Sequence, residues 1–244
     1  MTEKLKPTIL AAFDFDYTLV DDDSDHFVFD SLSPLLRKKM SELTGNVQWT
    51  DLMHQLLGEL HSEGVSKSQI IETLGSIQFN PAIRVMMEAI KAAGGDIIIV
   101  SDANTIYIDE ILKAKNAREL IAEIVTNPGT WDDTGRLHVS RRIAPPLTHG
   151  CTSVCSVNLC KGSEMLQRME QYDVVLYGGD GKNDYCPMTK LSAKDYAFAR
   201  RGHSLEKLLD SRDSKHIDAI KAKLIWWTEG EDLLAQVQDV LAGL

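Results

Sequence analysis

Five short apolar runs, set apart by helical patterns, constrain this chain more than any other feature. They cover residues 8–14 (TILAAFD), 96–100 (DIIIV), 122–126 (AEIVT), 173–177 (DVVLY) and, more weakly, 196–199 (YAFA). The clearest helical pattern between them spans Pro81 to Ala93, with Ile83, Met86, Met87 and Ile90 at i, i+3, i+4 and i+7. Asn80 is suited to cap that helix, Pro81 fits its first turn, and Gly94-Gly95 ends it. A second pattern runs from Gly162 to Gln171. Strands alternating with helices predict an α/β fold with a doubly wound parallel sheet, covered on both faces. Ligands of such a sheet gather at the carboxyl ends of its strands.

Residues 22–79 break the alternation. They contain no convincing strand, and their apolar residues fall into about three amphipathic helices: Leu35, Leu36, Met40 and Leu43; Leu52, Met53, Leu56, Leu57 and Leu60; Ile70, Ile71 and Leu74. The segment reads as a small helical cap inserted after the first strand and able to fold over the sheet's active edge. This predicts a core of residues 1–21 and 80–244 and a cap of 22–79. Around Trp131 to Val139 the sequence reads as a hairpin turning at Asp133-Thr134-Gly135.

A chain of 244 residues suffices for one core domain with a smaller module attached. Its formal net charge of -10 argues against non-specific binding to nucleic acid or to an anionic membrane surface. No apolar run approaches the roughly 18 residues of a membrane span, and the start MTEKLKPTIL lacks the apolar stretch of a signal peptide, so a cytoplasmic protein is expected. Nothing in the sequence sets the oligomeric state.

Polar residues collect where such a sheet would focus them. The first strand ends in Asp14-Phe15-Asp16, the second in Ser101-Asp102, and GGDGKNDYCP follows the fourth; Lys161 begins the intervening helix. Asp21, Asp22, Asp23 and Asp25 add further acid close to the first pair. Buried carboxylates crowded this closely call for a compensating cation or hydrogen-bond donors. On their own, Asp21 to Asp23 read as a solvated turn leading into the insertion. Tyr17, His26 and Phe27 are open to either a pocket or a core role, and His54 and His61 read as surface residues.

These residues resemble the haloacid dehalogenase superfamily of phosphatases, whose pattern is DxDx[TV], a Ser or Thr after a strand, a Lys, and an acidic GDxxND pair. The matches are Asp14-Phe15-Asp16-Tyr17-Thr18, Ser101, Lys161, and Asp180 with Asp184. FDFDYTLVDDDSD, VSDANT, TNPG, HGC with NLCKG, GGDGKNDYCP and WTEGEDL bring the chain closer to the phosphoethanolamine/phosphocholine phosphatases, with their pyridoxal-phosphate-hydrolysing and plant relatives. The resemblance implies a Rossmann-like core and a magnesium-dependent hydrolase of small phosphate monoesters. It implies Asp14 as the nucleophile that forms an aspartyl-phosphate and Asp16 as the acid/base. Ser101 and Lys161 would bind phosphate, and Asp25 and Asp102 would face a substrate amine. Magnesium would be held by Asp14, Asp180 and the main-chain carbonyl of Asp16, with Asp184 orienting that shell.

His149, Cys151, Cys155 and Cys160, with Cys186 more distant, form another cluster. Three thiolates and an imidazole suit tetrahedral zinc, and reduced packing cysteines suit the same sequence. The family's spacing here is C-x2-C-x4-C, whereas this chain has one residue more between Cys151 and Cys155. Two other functions stay open: the same chemistry on pyridoxal phosphate or a broad range of monoesters, and a receiver-like module phosphorylated on Asp14 without turnover. Asp16, Lys161 and Asp180 argue against the second, since a silent module would be free to lose them.

Overall fold

Every connection between consecutive strands of the main sheet contains a helix, and all five strand pairings are parallel. The computed structural model describes residues 8–210 and 215–244; residues 1–7, on which the leader expectation rests, lie outside the described residues. From the N-terminus the elements are β1 (Ile9–Phe13), α1 (Ser24–Leu32), α2 (Pro34–Leu43), α3 (Trp49–Ser62), α4 (Lys67–Ser76), α5 (Pro81–Ala92), β2 (Asp96–Asn104), α6 (Thr105–Ala114) and β3 (Glu123–Asn127). There follow β4 (Gly129–Trp131), β5 (Leu137–Val139), α7 (Lys161–Met169), β6 (Val174–Gly179), α8 (Tyr185–Met188), β7 (Tyr196–Arg200), α9 (Ser204–Leu209), α10 (Lys215–Asp218), β8 (Lys223–Trp227) and α11 (Gly230–Ala242).

The sheet order is β3-β2-β1-β6-β7-β8. From β1 the chain builds outward through β2 on one side and later through β6 on the other, so the topological switch point lies at the carboxyl ends of β1, β2 and β6. All five predicted runs are strands of this sheet. The sixth strand, β8, escaped the sequence reading because KLIWW lies at the sheet edge, where only Trp227 is buried. β4 and β5 pair antiparallel as the predicted hairpin, with Gly135 at a φ of 85° in its turn.

Alternate residues of β1 feed two separate cores. Ile9, Ala11 and Phe13 pack with α5, α6 and α11, whereas Leu10 and Ala12 pack with α7, α8 and α9. This is why β1 reads as an unbroken apolar run rather than an alternating one. The insertion holds four helices rather than three: α1 had no clear stripe in the sequence, and only Val28 and Phe29 of its apolar residues are fully buried. Leu36, Met40, Leu56 and Leu60 of α2 and α3 belong to the same apolar core as Phe13 and Ile83. No helix among the described residues is long and apolar enough to cross a membrane.

Candidate active site

Asp14 is the first residue beyond β1, and its N–H donates to Gly178 O of β6 at 2.9 Å. Main-chain pairing therefore sets its place at the switch point. Its carboxylate is buried, with Oδ2 at 2.5 Å from Lys161 Nζ and Oδ1 accepting the N–H of Phe15 at 2.7 Å. Lys161, 1% exposed, also donates to Asp184 Oδ1 at 2.8 Å. Burial alone would lower the pKa of Lys161, but Asp14 and Asp184 hold it above the ordinary lysine value.

The loop after β6 wraps around Asp184. Its Oδ1 accepts from Tyr177 OH at 2.7 Å as well as from Lys161, and its Oδ2 accepts the N–H groups of Asp180 and Gly181 at 3.0 and 2.9 Å. A Cβ on Gly179 would stand 2.2 Å from Asp184 Cγ, so the close approach needs glycine there. Asp180 accepts from Thr18 at 3.4 Å and lies 3.1 Å from His203 Nδ1. His203, at the N-cap of α9, had no signal in the sequence.

Asp14, Asp180 and Asp184 place carboxylate oxygens within 4.8 Å of one another, all buried. Burial, then repulsion from Asp184, holds Asp14 well above the usual carboxylate range despite Lys161; burial also raises Asp180, against the nearby His203. The cluster thus carries more negative charge than its donors offset. Both oxygens of Asp184 are occupied, leaving Asp14 and Asp180 with lone pairs to spare. Hard oxygen donors with surplus negative charge fit a magnesium ion.

Asp16 leaves the strand in a tight turn in which Thr18, Leu19 and Val20 all donate N–H groups to Phe15 O. Its carboxylate accepts Ser24 N–H at 3.0 Å and Ser24 Oγ at 3.2 Å. Burial, followed by the charges of Asp23 and Asp25, pushes Asp16 well above the ordinary range, against the Ser24 N–H. Tyr17, at a φ of 54°, takes the left-handed conformation that turns the chain back.

Ser101 lies inside β2 rather than after it, where the pairing with β3 shifts register between Val100 and Asn104. The irregularity leaves Ser101 fully buried and Asp102 exposed. A cleft of about 340 Å³ opens over this edge. Asp14, Asp16 and Asp180 line it together with Asp23, Asp25 and Asp102. Ser101 and Lys161 are behind this lining rather than part of it.

Asp25 and Asp102, distant in sequence, face the same cleft. Asp25 Oδ2 accepts from Trp49 Nε1 at 2.8 Å, while its Oδ1 is buried with no partner among the described residues. Burial, and next the charge of Asp23, pushes Asp25 up to about 8. Asn183 donates to Asp102 at 3.2 Å. Asp23, expected in a solvated turn, instead caps α1 by accepting His26 N–H at 2.9 Å and lines the cleft. Asp21 lies 3.2 Å from Arg200, and Tyr17 and His26 line the cleft whereas Phe27 packs against the core. His54 and His61 are half-buried, not fully at the surface.

A family profile described as Putative Phosphatase matches residues 9–241. Inorganic pyrophosphatase 2 of Arabidopsis thaliana is 34% identical over 240 residues, covering 96% of this chain and 84% of the relative. The pyridoxal phosphate phosphatase PHOSPHO2 of Bos taurus is 32% identical over 242 residues, covering 94% and 97%. Among solved structures, a phosphoserine phosphatase from T. onnurineus in complex with NDSB-201 superposes with a TM-score of 0.61 at 16% identity, covering 98% of this chain and 99% of its own. That last likeness is one of fold.

Proposed function

Because this chain belongs to that family of haloacid dehalogenase-type phosphatases, we propose that it hydrolyses small monoesters with a cationic head, phosphoethanolamine and phosphocholine foremost, through an aspartyl-phosphate on Asp14. The observation that carries the reading is the cleft's second group of acids. Asp25 and Asp102 offer a phosphate dianion no positive charge, but they suit an ammonium at the other end of the substrate, whose charge would favour the ionised form of Asp25. The partnerless Oδ1 of Asp25 is a buried acceptor that an ammonium would satisfy.

Asp14 attacks phosphorus while Lys161, 2.5 Å from it, steadies the carboxylate and the charge on the transferring group. Burial pushes the pKa of Asp16 up and so favours the protonated form, from which it can give its proton to the departing alkoxide. The carboxylate that remains then takes a proton from the water that hydrolyses the aspartyl-phosphate. Ser101 donates to the phosphoryl oxygens. Asp14, Asp180 and the main-chain carbonyl of Asp16 would hold magnesium, which would supply positive charge against the phosphoryl oxygens. Asp184 orients Lys161 and that shell. Residues 22–79 would form the cap over a core to which the described residues 8–21, 80–210 and 215–244 belong, and Trp49 of α3 holds Asp25 in place.

A panel of phosphoethanolamine, phosphocholine, pyridoxal phosphate, pyrophosphate and p-nitrophenyl phosphate, with and without magnesium, tests the reading. The cationic esters should give the highest kcat/KM, and only with magnesium. Preference for pyridoxal phosphate or pyrophosphate, the substrates named for the two relatives, would replace this substrate class. Release of a single equivalent of head-group alcohol per chain, with the phosphoryl group retained on Asp14, would instead indicate a receiver-like module.

A further inference from the structure

All four cysteines of the chain converge beside the catalytic loop, although Cys186 stands 26 residues beyond Cys160. Their sulfurs form a closed ring: Cys151 to Cys155 at 3.8 Å, Cys155 to Cys160 at 3.6 Å, Cys160 to Cys186 at 3.8 Å and Cys186 to Cys151 at 3.7 Å. All four lie within 4.8 Å of one another. A flat square of that edge would have diagonals of about 5.3 Å, so the ring is puckered toward a tetrahedron. Four thiolates at a zinc–sulfur distance of about 2.3 Å form a tetrahedron with an edge of about 3.8 Å.

We propose that Cys151, Cys155, Cys160 and Cys186 bind one structural zinc ion. Binding converts four thiols to thiolates with release of their protons. The tetrahedron leaves no open position, which marks a structural rather than a hydrolytic centre. A two-iron cluster holds its two pairs of thiolates on separate irons, farther apart than these sulfurs stand. His149, the expected fourth ligand, is occupied elsewhere: Nδ1 accepts Cys151 N–H at 3.0 Å and Nε2 stands 2.6 Å from Ser156 O. The structure offers Cys186 in its place.

The surroundings are shaped for the cluster. Ser163 N–H and Oγ reach Cys160 Sγ at 3.3 and 3.2 Å, and Ser153 N–H reaches Cys151 Sγ at 3.4 Å, donors that would offset the charge of a tetrathiolate centre. A Cβ on Gly162 would stand 2.6 Å from Cys186 Sγ, so α7 can approach α8 this closely only with glycine there. Cys160 directly precedes Lys161, and Cys186 follows Asp184 by two residues. The ion would thus clamp the segments that carry the Lys161–Asp184 pair.

Metal content of the full-length protein, purified without chelator from zinc-supplemented cells, is the test. The expected result is about one zinc per chain, retained through dialysis against EDTA, with thiolate-to-metal charge transfer when cobalt replaces it. Cys186→Ser should reduce zinc at least about fivefold, whereas His149→Ala should leave it unchanged. Should Cys186→Ser fail to fold, wild type and His149→Ala still decide the matter. Less than about a tenth of an equivalent of zinc in wild type, iron in its place, or loss of zinc in His149→Ala would each overturn the site. Because the readout is bound metal, it is independent of which ester the enzyme hydrolyses.

Discussion

The oxygen cluster around Asp14 and the sulfur cluster around Cys186 share two chain segments, those of Cys160-Lys161 and of Asp184 to Cys186, but treat charge in opposite ways. Around Asp14, three buried carboxylates face Lys161, His203, Tyr177, Thr18 and three main-chain N–H groups, so part of the charge is already offset and the rest faces an open cleft. Around Cys186, four soft donors face one another, with three N–H or O–H donors beside them among the described residues. The first arrangement suits a hard ion that enters and leaves with substrate. The second suits a soft ion held for the life of the fold.

The sharpest way to break this contrast is Asp14→Asn. Loss of the nucleophile is expected to lower kcat by at least about 10⁴-fold while leaving zinc at one per chain. Steady-state phosphate release and elemental analysis of the same preparation check it, and activity within about tenfold of wild type would remove Asp14 from its role. Chelation comes next. EDTA should reduce turnover at least about 100-fold and added magnesium should restore it, with the zinc still bound. If both metals left together, the two clusters would not differ as described.

A third comparison separates the two ends of the cleft. Asp25→Ala or Asp102→Ala should lower kcat/KM for phosphoethanolamine about 10- to 150-fold, the equivalent of one charge-assisted contact, and hardly affect p-nitrophenyl phosphate. Equal losses on both esters would contradict an ammonium subsite.

The smallest effect is on stability. Asp25 binds its proton more tightly in the folded protein, up to about 8, than in the unfolded chain. Between the ordinary carboxylate pKa and about 8 the folded state therefore holds more protons, and this contribution to stability, full at low pH, is lost as pH rises through that window. Asp25→Asn, which stays neutral, should gain Tm relative to wild type as pH goes from 5 to 8, by a few degrees, about 2 to 4 °C per kcal/mol. Thermal melts of magnesium-free protein at both pH values give the difference; one that stays flat with pH would show that Asp25 does not titrate as its burial indicates.

Much of this was legible in the residues alone, because the signals are local. Runs such as DIIIV and DVVLY, buried on both faces, identify parallel strands without any partner in view, and DFD and GDGKND each lie at the end of one strand. Asp14, Asp16, Asp180 and Asp184 could be named for that reason. Residues whose place depends on a distant partner could not. Edge strand β8 draws its pairing from β7, His203 meets Asp180 across the loop ends, Trp49 reaches Asp25 from another cap helix, and Asp23 reads as a solvated turn in the sequence although it caps α1.

The cysteines divide along the same line. Sequence by itself bounds how far apart Cys151, Cys155 and Cys160 can stand, at most about 30 Å for the nine residues from the first to the last. It offered His149 as the fourth partner because His149 is nearest along the chain. Only the tertiary structure decided for Cys186. Packing of α7 and α8 against one face of the sheet, with a glycine at Gly162 letting the backbones approach, brings a sulfur from beyond β6 to the start of α7. Spacing within a loop is a covalent property that the sequence states outright, whereas proximity across the sheet exists only once both faces have been buried.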